Sequence, residues 1–563
     1  MNISQKHWII ASAIPPEADE ALHSYPPIIR QILYNRGFST PEAAQSYLEA
    51  RMPSDTDPYL LLGMDTAVDR IRQAIKNRDK VAVYGDYDVD GVTATALLVE
   101  TLEDLGAEVQ GYIPNRFDEG YGLNSEALDH LAELGVRLVI TVDCGIRSID
   151  EVEHAREIGL DIIVTDHHHP HHQLPPALAI INPKQQADRY EHKELAGVGL
   201  AYKLASALFE SDQEANKFLD LVALGTVADL APLSGENRTL TRKGIEMIRQ
   251  TRRQGLKALL GASRLESSRI TAADIGFILG PRLNAAGRLD SALAALSLLT
   301  TRDIHHAAQL AQFLDNQNRR RQEITREIQQ KAEQIALSRY PDPYLLFAVH
   351  PDFNPGVVGL AASKLVETYY RPAVVAHQGE GFVRGSCRSI PEFHITQALD
   401  QCADLMEHHG GHAAAAGFTL REANLPILFE RLSKIASQEL AEIDLHHKLY
   451  ADIETPLAEL KPELLRYLFS MQPTGYGNRQ AYFVSRNLKV TSKRKVGREG
   501  NHLKLTVTDG RITYDAIAFG LGYWYDQMPA KIDLFYSFEL NEYNGRVNLQ
   551  LNVRDIVASG SLN

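Results

Sequence analysis

Between residues 81 and 205 short apolar runs alternate with amphipathic stretches, at a spacing that predicts strands and helices in turn. VAVYG (81–85), EVQGYIP (108–114), VRLVITVD (136–143), LDIIVTD (160–166) and ALAIINP (177–183) read as strands. Most are nearly continuous apolar runs rich in β-branched residues, the pattern of strands covered on both faces. An Ala/Leu-rich helix follows the first of them, and LNSEALDHLAEL (123–134) and SIDEVEHAREIG (148–159) carry a helical period. The alternation predicts an α/β domain with a doubly wound parallel sheet, in which ligand groups collect at the carboxyl ends of the strands.

From Arg302 to about Tyr340 neither Gly nor Pro interrupts a polar helical pattern with sparse apolar positions at Ile324, Ile328 and Ile335. Such a helix is only partly packed and bridges two domains. A second α/β segment starts at PYLLFAVHPDF and contains GGHAAAAGF (410–418). After about Asp444 the period becomes two, in NLKVTSKRKVG, HLKLTVTD, ITYDAIAF and KIDLFYSFELNEYNGRVNLQLNV. Five or six strands over roughly 110 residues fit a C-terminal OB-type β-barrel. The expected organisation is an N-terminal extension (1–60), a catalytic α/β domain (61–302), a long connecting helix (303–340), a second α/β domain (341–445) and an OB fold (446–557).

Composition changes this picture little. The chain has 563 residues, 44% hydrophobic and 23% charged, as soluble globular proteins do. A formal net charge of −14 argues against indiscriminate affinity for nucleic acid but leaves room for a local basic groove. Three scattered cysteines (Cys144, Cys387, Cys402) fit a reducing compartment and form no metal finger. The first twenty residues do not read as a signal peptide, and no apolar window reaches the ~18 residues of a membrane span. A cytoplasmic protein is expected.

The chemistry lies at the strand ends. Asp86, Asp88 and Asp90 follow the first strand, Asp143 ends another, Asp166, His167 and His168 end a third, and Asp229 stands in LGTVADLAPL. Any one aspartate is more simply a solvated loop acid or a helix cap. Six carboxylates and two imidazoles at one sheet edge require several units of compensating charge. Hard oxygen ligands with one or two imidazoles favour Mn²⁺ or Mg²⁺ over zinc. The surplus of ligands points to two ions, the usual clamp for displacement at phosphorus. The neighbouring His169, His171 and His172 read as exposed loop.

GDYDVDG, TVDCG, DHH followed by LPPALAIINP, and ADLAPL, in that order, resemble the DHH phosphoesterase superfamily. GPRLNAAGRLD, GSCRS and GGHAAAAGF are similar to the marks of its single-stranded-DNA exonuclease branch, and the likeness runs from about Pro26 to the last strand. The resemblance implies that Asp88 and Asp90 bind the metals, that Asp86 is a further ligand, and that Asp143 bridges both ions. It implies His167 and Asp229 as ligands, His168 beside the scissile phosphate, and Asp166 orienting the histidines from behind. A pocket for a 5′-terminal phosphate is implied around Arg116 of IPNRFDEGYG, with Ser386, Arg388 and Ser389 of GSCRS.

Arg282, Asn284 and Arg288 of GPRLNAAGR can donate to phosphate oxygens, with helix capping and a local ion pair as the plainer alternative. Gly410, Gly411 and Gly417 of GGHAAAAG would let backbone approach a phosphate beside His412, although such a loop could equally be a helix N-terminus packed on a strand. In the last domain Arg486, Lys489, Lys493, Arg494, Lys495, Arg498 and Lys504 face a single Glu499, and Lys493, Arg494, Lys495 and Arg498 are the candidate DNA contacts. Tyr476, Tyr482, Phe483, Tyr514, Phe519, Tyr523 and Trp524 could stack bases, but most must fill the barrel. The GYGN stretch is followed by Arg479 where that family often has proline.

The expected activity is therefore metal-dependent 5′-to-3′ degradation of single-stranded DNA to 5′-mononucleotides. The resemblance implies roles in recombination, mismatch repair and DNA repair, with a single-strand-binding protein and a helicase as partners; a chain that carries its own binding domain has little need of a partner subunit, so a monomer is expected. A small-substrate phosphoesterase (an oligonucleotide or nanoRNA hydrolase) is the first alternative, and the basic barrel argues against it. An inactive nucleic-acid-binding scaffold is the second, and the intact acidic cluster argues against that.

Overall fold

The computed structural model describes residues 6–115, 122–289, 291–339, 343–543 and 545–560. Two compact units emerge, one of residues 1–9 and 316–449 and the other of residues 10–315 and 450–563. The boundary between Asp315 and Asn316 falls inside the long helix Ile304–Arg339. In that helix Ile328, Ala332 and Ala336 are buried at four-residue intervals, so small residues rather than Ile324 and Ile335 carry the packed stripe.

The larger unit contains the predicted parallel sheet. Its strand order is Glu108–Tyr112, Lys80–Gly85, Val136–Val142, Asp161–Thr165, Ala179–Ile181, with every neighbouring pair parallel. The order reverses beside Lys80–Gly85, the first strand of this sheet in the sequence, which is the doubly wound arrangement. The helix Val89–Asp104 is buried along most of its length, between the sheet and the helices Gly197–Phe209 and Leu219–Ala228. Those two helices are buried on nearly every face and mostly apolar, and their buried charges are paired, Lys203 with Glu236 and Asp220 with Arg253.

The same unit holds the barrel. Strands Ile453–Glu454, Phe483–Val496, His502–Thr508, Thr513–Ala518, Arg546–Ala558 and Lys531–Tyr543 follow in that order, and Phe483–Val496 pairs with Lys531–Tyr543 to close it. The N-terminal extension is no loose appendage. Leu22, Ile29, Ile32 and Leu33, on and near its helices, share one buried cluster with Leu457, Phe483, Leu534 and Tyr536 of the barrel region.

The smaller unit has a five-stranded mixed sheet, ordered Met406–His412, Ala415–Arg421, Phe382–Arg388, Ala373–Gly379, Leu346–His350. Only the last two strands pair in parallel. The GGHAAAAG segment is a β-hairpin here, not a helix start. Gly411 has φ +149, and a Cβ there would fall 2.3 Å from the Ala415 carbonyl oxygen, so close backbone approach across the hairpin requires glycine.

Candidate metal centre

The turn after Lys80–Gly85 delivers three acids. Asp86 is buried, and Asp88 caps the helix Val89–Asp104 by accepting from the amides of Asp90 (2.9 Å) and Gly91 (3.2 Å). Asp90 is fully enclosed, its oxygens accepting from the Gly197 amide at 2.6 Å and the Val198 amide at 2.8 Å. These amides open the helix Gly197–Phe209, whose positive end favours a carboxylate. A Cβ at Gly197 would fall 2.7 Å from that of Asp143, which makes glycine necessary there.

Asp143 closes the strand Val136–Val142 with φ 61, a left-handed conformation uncommon outside glycine, and its amide donates to Thr165 O at 3.0 Å. His167 Nε2 lies 3.0 Å from Asp143 Oδ1, 3.7 Å from Asp229 Oδ2 and 3.9 Å from Asp90 Oδ2. Asp166 stands behind His168: its Oδ1 accepts from the His168 Nδ1 at 2.7 Å, and its Oδ2 from the Ile146 amide at 3.0 Å. The structure thus brings together all eight residues read from the sequence. His169, His171 and His172 are outside the cluster; all three are exposed.

Two three-ligand groups emerge, Asp90/His167/Asp229 and Asp86/Asp88/Asp143, each with donor atoms within 4.8 Å of one another. Asp143 also groups with His167 and His168, which links the two. Asp143 Oδ1 and His167 Nε2 are buried and neither is hydrogen-bonded, so a cation between them would satisfy both. The electrostatics agree. Burial and the Asp88 charge push Asp90 up to about 7, and burial with the Asp90 and Asp88 charges pushes Asp229 up to about 9. Asp143 is held well above the usual carboxylate range by burial and then by Asp90. Burial, then His168, pushes His167 down to about 3, so its imidazole is neutral and able to ligate. Carboxylates in excess with one or two imidazoles suit Mn²⁺ or Mg²⁺.

The predicted phosphate contacts divide. Ser386 and Arg388 end one strand, with Arg388 Nη1 donating to Ser386 Oγ at 3.1 Å. A Cβ on Gly359 would come within 2.8 Å of Ser386 Oγ and 3.0 Å of Arg388 Nη2. The start of the helix Val358–Tyr369, without a side-chain cap, therefore abuts both. The sequence analysis missed this helix start; NPGVVG (354–359) was its signal, a turn followed by small residues. Ser389 Oγ donates to Phe393 O at 2.7 Å and so serves a local turn. His412 and Gly410 lie exposed on the hairpin strand.

Arg282 is not a free phosphate donor. Its Nε and Nη2 lie 3.0 Å from Oδ1 of buried Asp315, and Nη1 donates to Ile278 O, which is the local ion pair. Asn284 Oδ1 accepts from the Val89 amide at 3.1 Å and so steadies the acidic turn. Arg288 is half-buried, and Arg116 lies outside the described residues.

In the barrel, Lys493 donates to Tyr525 O at 2.7 Å and Lys495 pairs with Asp526 at 2.9 Å. Arg494 and Arg498 have no ion pair among the described residues. Phe483 and Tyr514 fill the core, whereas Tyr476, Phe519 and Tyr523 are more than half exposed.

A phosphoesterase of the DHH class is what this sheet and its acidic edge define: residues 80–226 match the DHH family, N-terminal domain, residues 342–442 the DHHA1 domain and residues 451–555 the RecJ OB domain. The single-stranded-DNA-specific exonuclease RecJ of Escherichia coli (strain K12) is 37% identical over 94% of this chain and 96% of its own. That of Bacillus subtilis (strain 168) is 38% identical over 96% of this chain and 69% of its own. The crystal structure of RecJ from Thermus thermophilus in complex with Mn²⁺ superposes with a TM-score of 0.84 at 30% identity, covering 99% of this chain and 80% of that one. The chain belongs to the RecJ family.

Proposed function

We propose that this chain degrades single-stranded DNA from its 5′ end, releasing 5′-mononucleotides, with two divalent ions, Mn²⁺ or Mg²⁺, held by Asp86, Asp88, Asp90, Asp143, His167 and Asp229. The class of activity follows from membership: the chain is a metal-dependent single-stranded-DNA exonuclease of the DHH family. The observation that carries the site assignment is the pair of linked ligand groups meeting at Asp143 and His167.

When bound, such ions polarise a phosphoryl oxygen and lower the pKa of water. The chain's own residues do the rest. Asp166 turns His168 toward the site and, against the effect of burial, raises its pKa by hydrogen bonding and charge. A protonated His168 can donate to a phosphate oxygen or to the leaving group. Ser386, Arg388 and the start of Val358–Tyr369 form an anion site suited to a terminal phosphate, which carries a second charge that internal phosphates lack. Exposed Tyr476, Phe519 and Tyr523, with Arg494 and Arg498, can hold a strand without reading its sequence.

Single-stranded DNA with a free 5′ end is the substrate in this reading. Work beside a single-strand-binding protein and a helicase, in recombination and repair, as a monomer in the cytoplasm, completes it; among the described residues no helix is long and apolar enough to cross a membrane.

Oligonucleotides labelled at the 5′ or the 3′ end, single-stranded or duplex, test the reading with Mn²⁺, Mg²⁺ or EDTA. Labelled mononucleotide should appear early only from the 5′ label of single strands with metal; early release from the 3′ label would reverse the polarity, and cleavage confined to dinucleotides would replace the substrate. Arg388→Ala should cut the preference for a 5′-phosphate over a 5′-hydroxyl by roughly tenfold or more, the worth of a charge-assisted hydrogen bond. An unchanged ratio of kcat/KM for the two ends removes Arg388 from the terminal site.

A further inference from the structure

A cavity of about 730 Å³ lies in the larger unit, away from the acidic cluster. Its walls come from the N-terminal extension, the start of the helix Gly235–Arg249 and the loop after GYGN that carries Arg479. Four guanidinium groups line it: Arg36, Arg51, Arg238 and Arg479.

Their partners do not balance them. Asp452 Oδ1 takes both Arg36 Nη1 (3.2 Å) and Arg479 Nη2 (3.0 Å), and Glu49 takes Arg51 at 2.6 Å. Arg238, only 3% exposed, has no carboxylate among the described residues; it donates to the carbonyls of Tyr47, Ser470 and Gln472. Four cations facing two anions leave an excess of two positive charges, in a chain of net charge −14. The Nε atoms of Arg36, whose side chain is 8% exposed, and of Arg238 are buried without hydrogen-bond partners. Burial pushes Arg238 down to about 10, although its guanidinium also lies 4.2 Å from the centre of the Tyr47 ring; no carboxylate offsets its charge among the described residues. Ser234 precedes the fifteen-residue helix without capping it by side chain, so the helix presents its positive end to the same space. Half-buried Phe38, stacked on Tyr47 at 4.3 Å, adds an aromatic wall.

We propose that this cavity binds the phosphate group of a nucleotide, its guanidinium groups and helix start taking the phosphate and Phe38 the base. The choice of a nucleotide over another anion rests on the exonuclease reading, since the product of that reaction carries a 5′-phosphate and a base. The site also has a route to the metal centre. The GYGN loop packs on the segment after Asp229, with the Leu233 amide donating to Tyr476 O at 2.7 Å and Gly477 (φ +72) pressed against Pro232.

Phenylglyoxal, which modifies accessible arginines, gives the test on the full chain in EDTA, where neither metal nor cleavage takes part. Arg51 and Arg479 have side chains 53% and 42% exposed and should both react. Deoxyadenosine 5′-monophosphate, or a 5′-phosphorylated oligonucleotide, should slow their modification at least fivefold by peptide mass spectrometry, and deoxyadenosine should not. Whichever of the two protects identifies the source of the phosphate; protection by neither overturns the proposal. Equilibrium dialysis adds a second arm. Mononucleotide binding should survive Arg388→Ala and weaken at least tenfold in Arg51→Ala/Arg479→Ala. The reverse pattern assigns the binding to the terminal-phosphate site and also overturns the proposal. Failure of the exonuclease reading would show in the oligonucleotide assay alone, leaving these protections to be judged separately.

Discussion

Asp143→Ala is expected to lower the cleavage rate by at least roughly a thousandfold, the scale of losing one fixed electrostatic group at a reacting centre. Its Oδ1 stands 3.0 Å from His167 Nε2, and it belongs to ligand groups on both sides of the site. Alanine removes the residue those groups share, so affinity for Mn²⁺ should fall with the rate. Stability separates this role from a structural one. Without metal the Asp143 carboxyl is held toward its neutral form by burial and neighbouring acids, and no hydrogen bond reaches its Oδ1. Removing it therefore costs the metal-free fold little, and the melting temperature in EDTA should not fall. Calorimetry in EDTA with single-turnover cleavage in Mn²⁺ checks both halves. Cleavage at the wild-type rate removes Asp143 from the centre; a lower melting temperature in EDTA makes it a structural residue.

Much of this centre was legible because a parallel sheet places the last residue of every strand along one edge. Asp86, Asp143 and Asp166 each follow a β-branched run directly, so their meeting needs only the strand order. What holds them was not legible. The amides that clamp Asp90 come from Gly197 and Val198, 107 and 108 residues away, and no local pattern marks them. The local partners of Arg282 and Asn284 were hidden for the same reason. Arg282 pairs with Asp315, 33 residues on along a different helix, and Asn284 Oδ1 accepts from a backbone amide 195 residues back. GGHAAAAG misled in another way: small residues fit a loop, a helix start or a tight hairpin equally, and pairing with Phe382–Arg388 decides the matter. The N-terminal extension read only as an extension, since the barrel residues it packs against lie more than 400 positions later.

Withdrawing metal should abolish cleavage and also expose the cost of the bare acidic cluster. In the fold Asp90 titrates at about 7 and Asp229 at about 9, both raised first by burial, against roughly 3.9 in an unfolded chain. A raised carboxyl contributes stability that is complete below the unfolded value and disappears as pH climbs through the folded one. His167, depressed to about 3, works in the opposite sense: its contribution is present above about 6.5 and is lost as pH falls toward 3. Between pH 6.5 and 9 His167 is largely neutral in both states, and the groups held above their ordinary values, Asp90, Asp143 and Asp229 together with His168, set a falling slope. In EDTA the catalytic-domain melting temperature should fall across that window. Saturating Mn²⁺ replaces the protons, so binding should release them and the stabilisation should be larger at pH 9 than at pH 6.5. At a hundredfold excess over Kd the gain is about 2.7 kcal/mol, or roughly 5 °C for a domain of this size. Scanning calorimetry at both pH values, and titration calorimetry in buffers of different ionisation enthalpy, measure the two effects. A melting temperature in EDTA that is flat or rising over the window, with equal Mn²⁺ increments at both ends, means that the carboxylates meet their charge some other way and that metal is not what holds them.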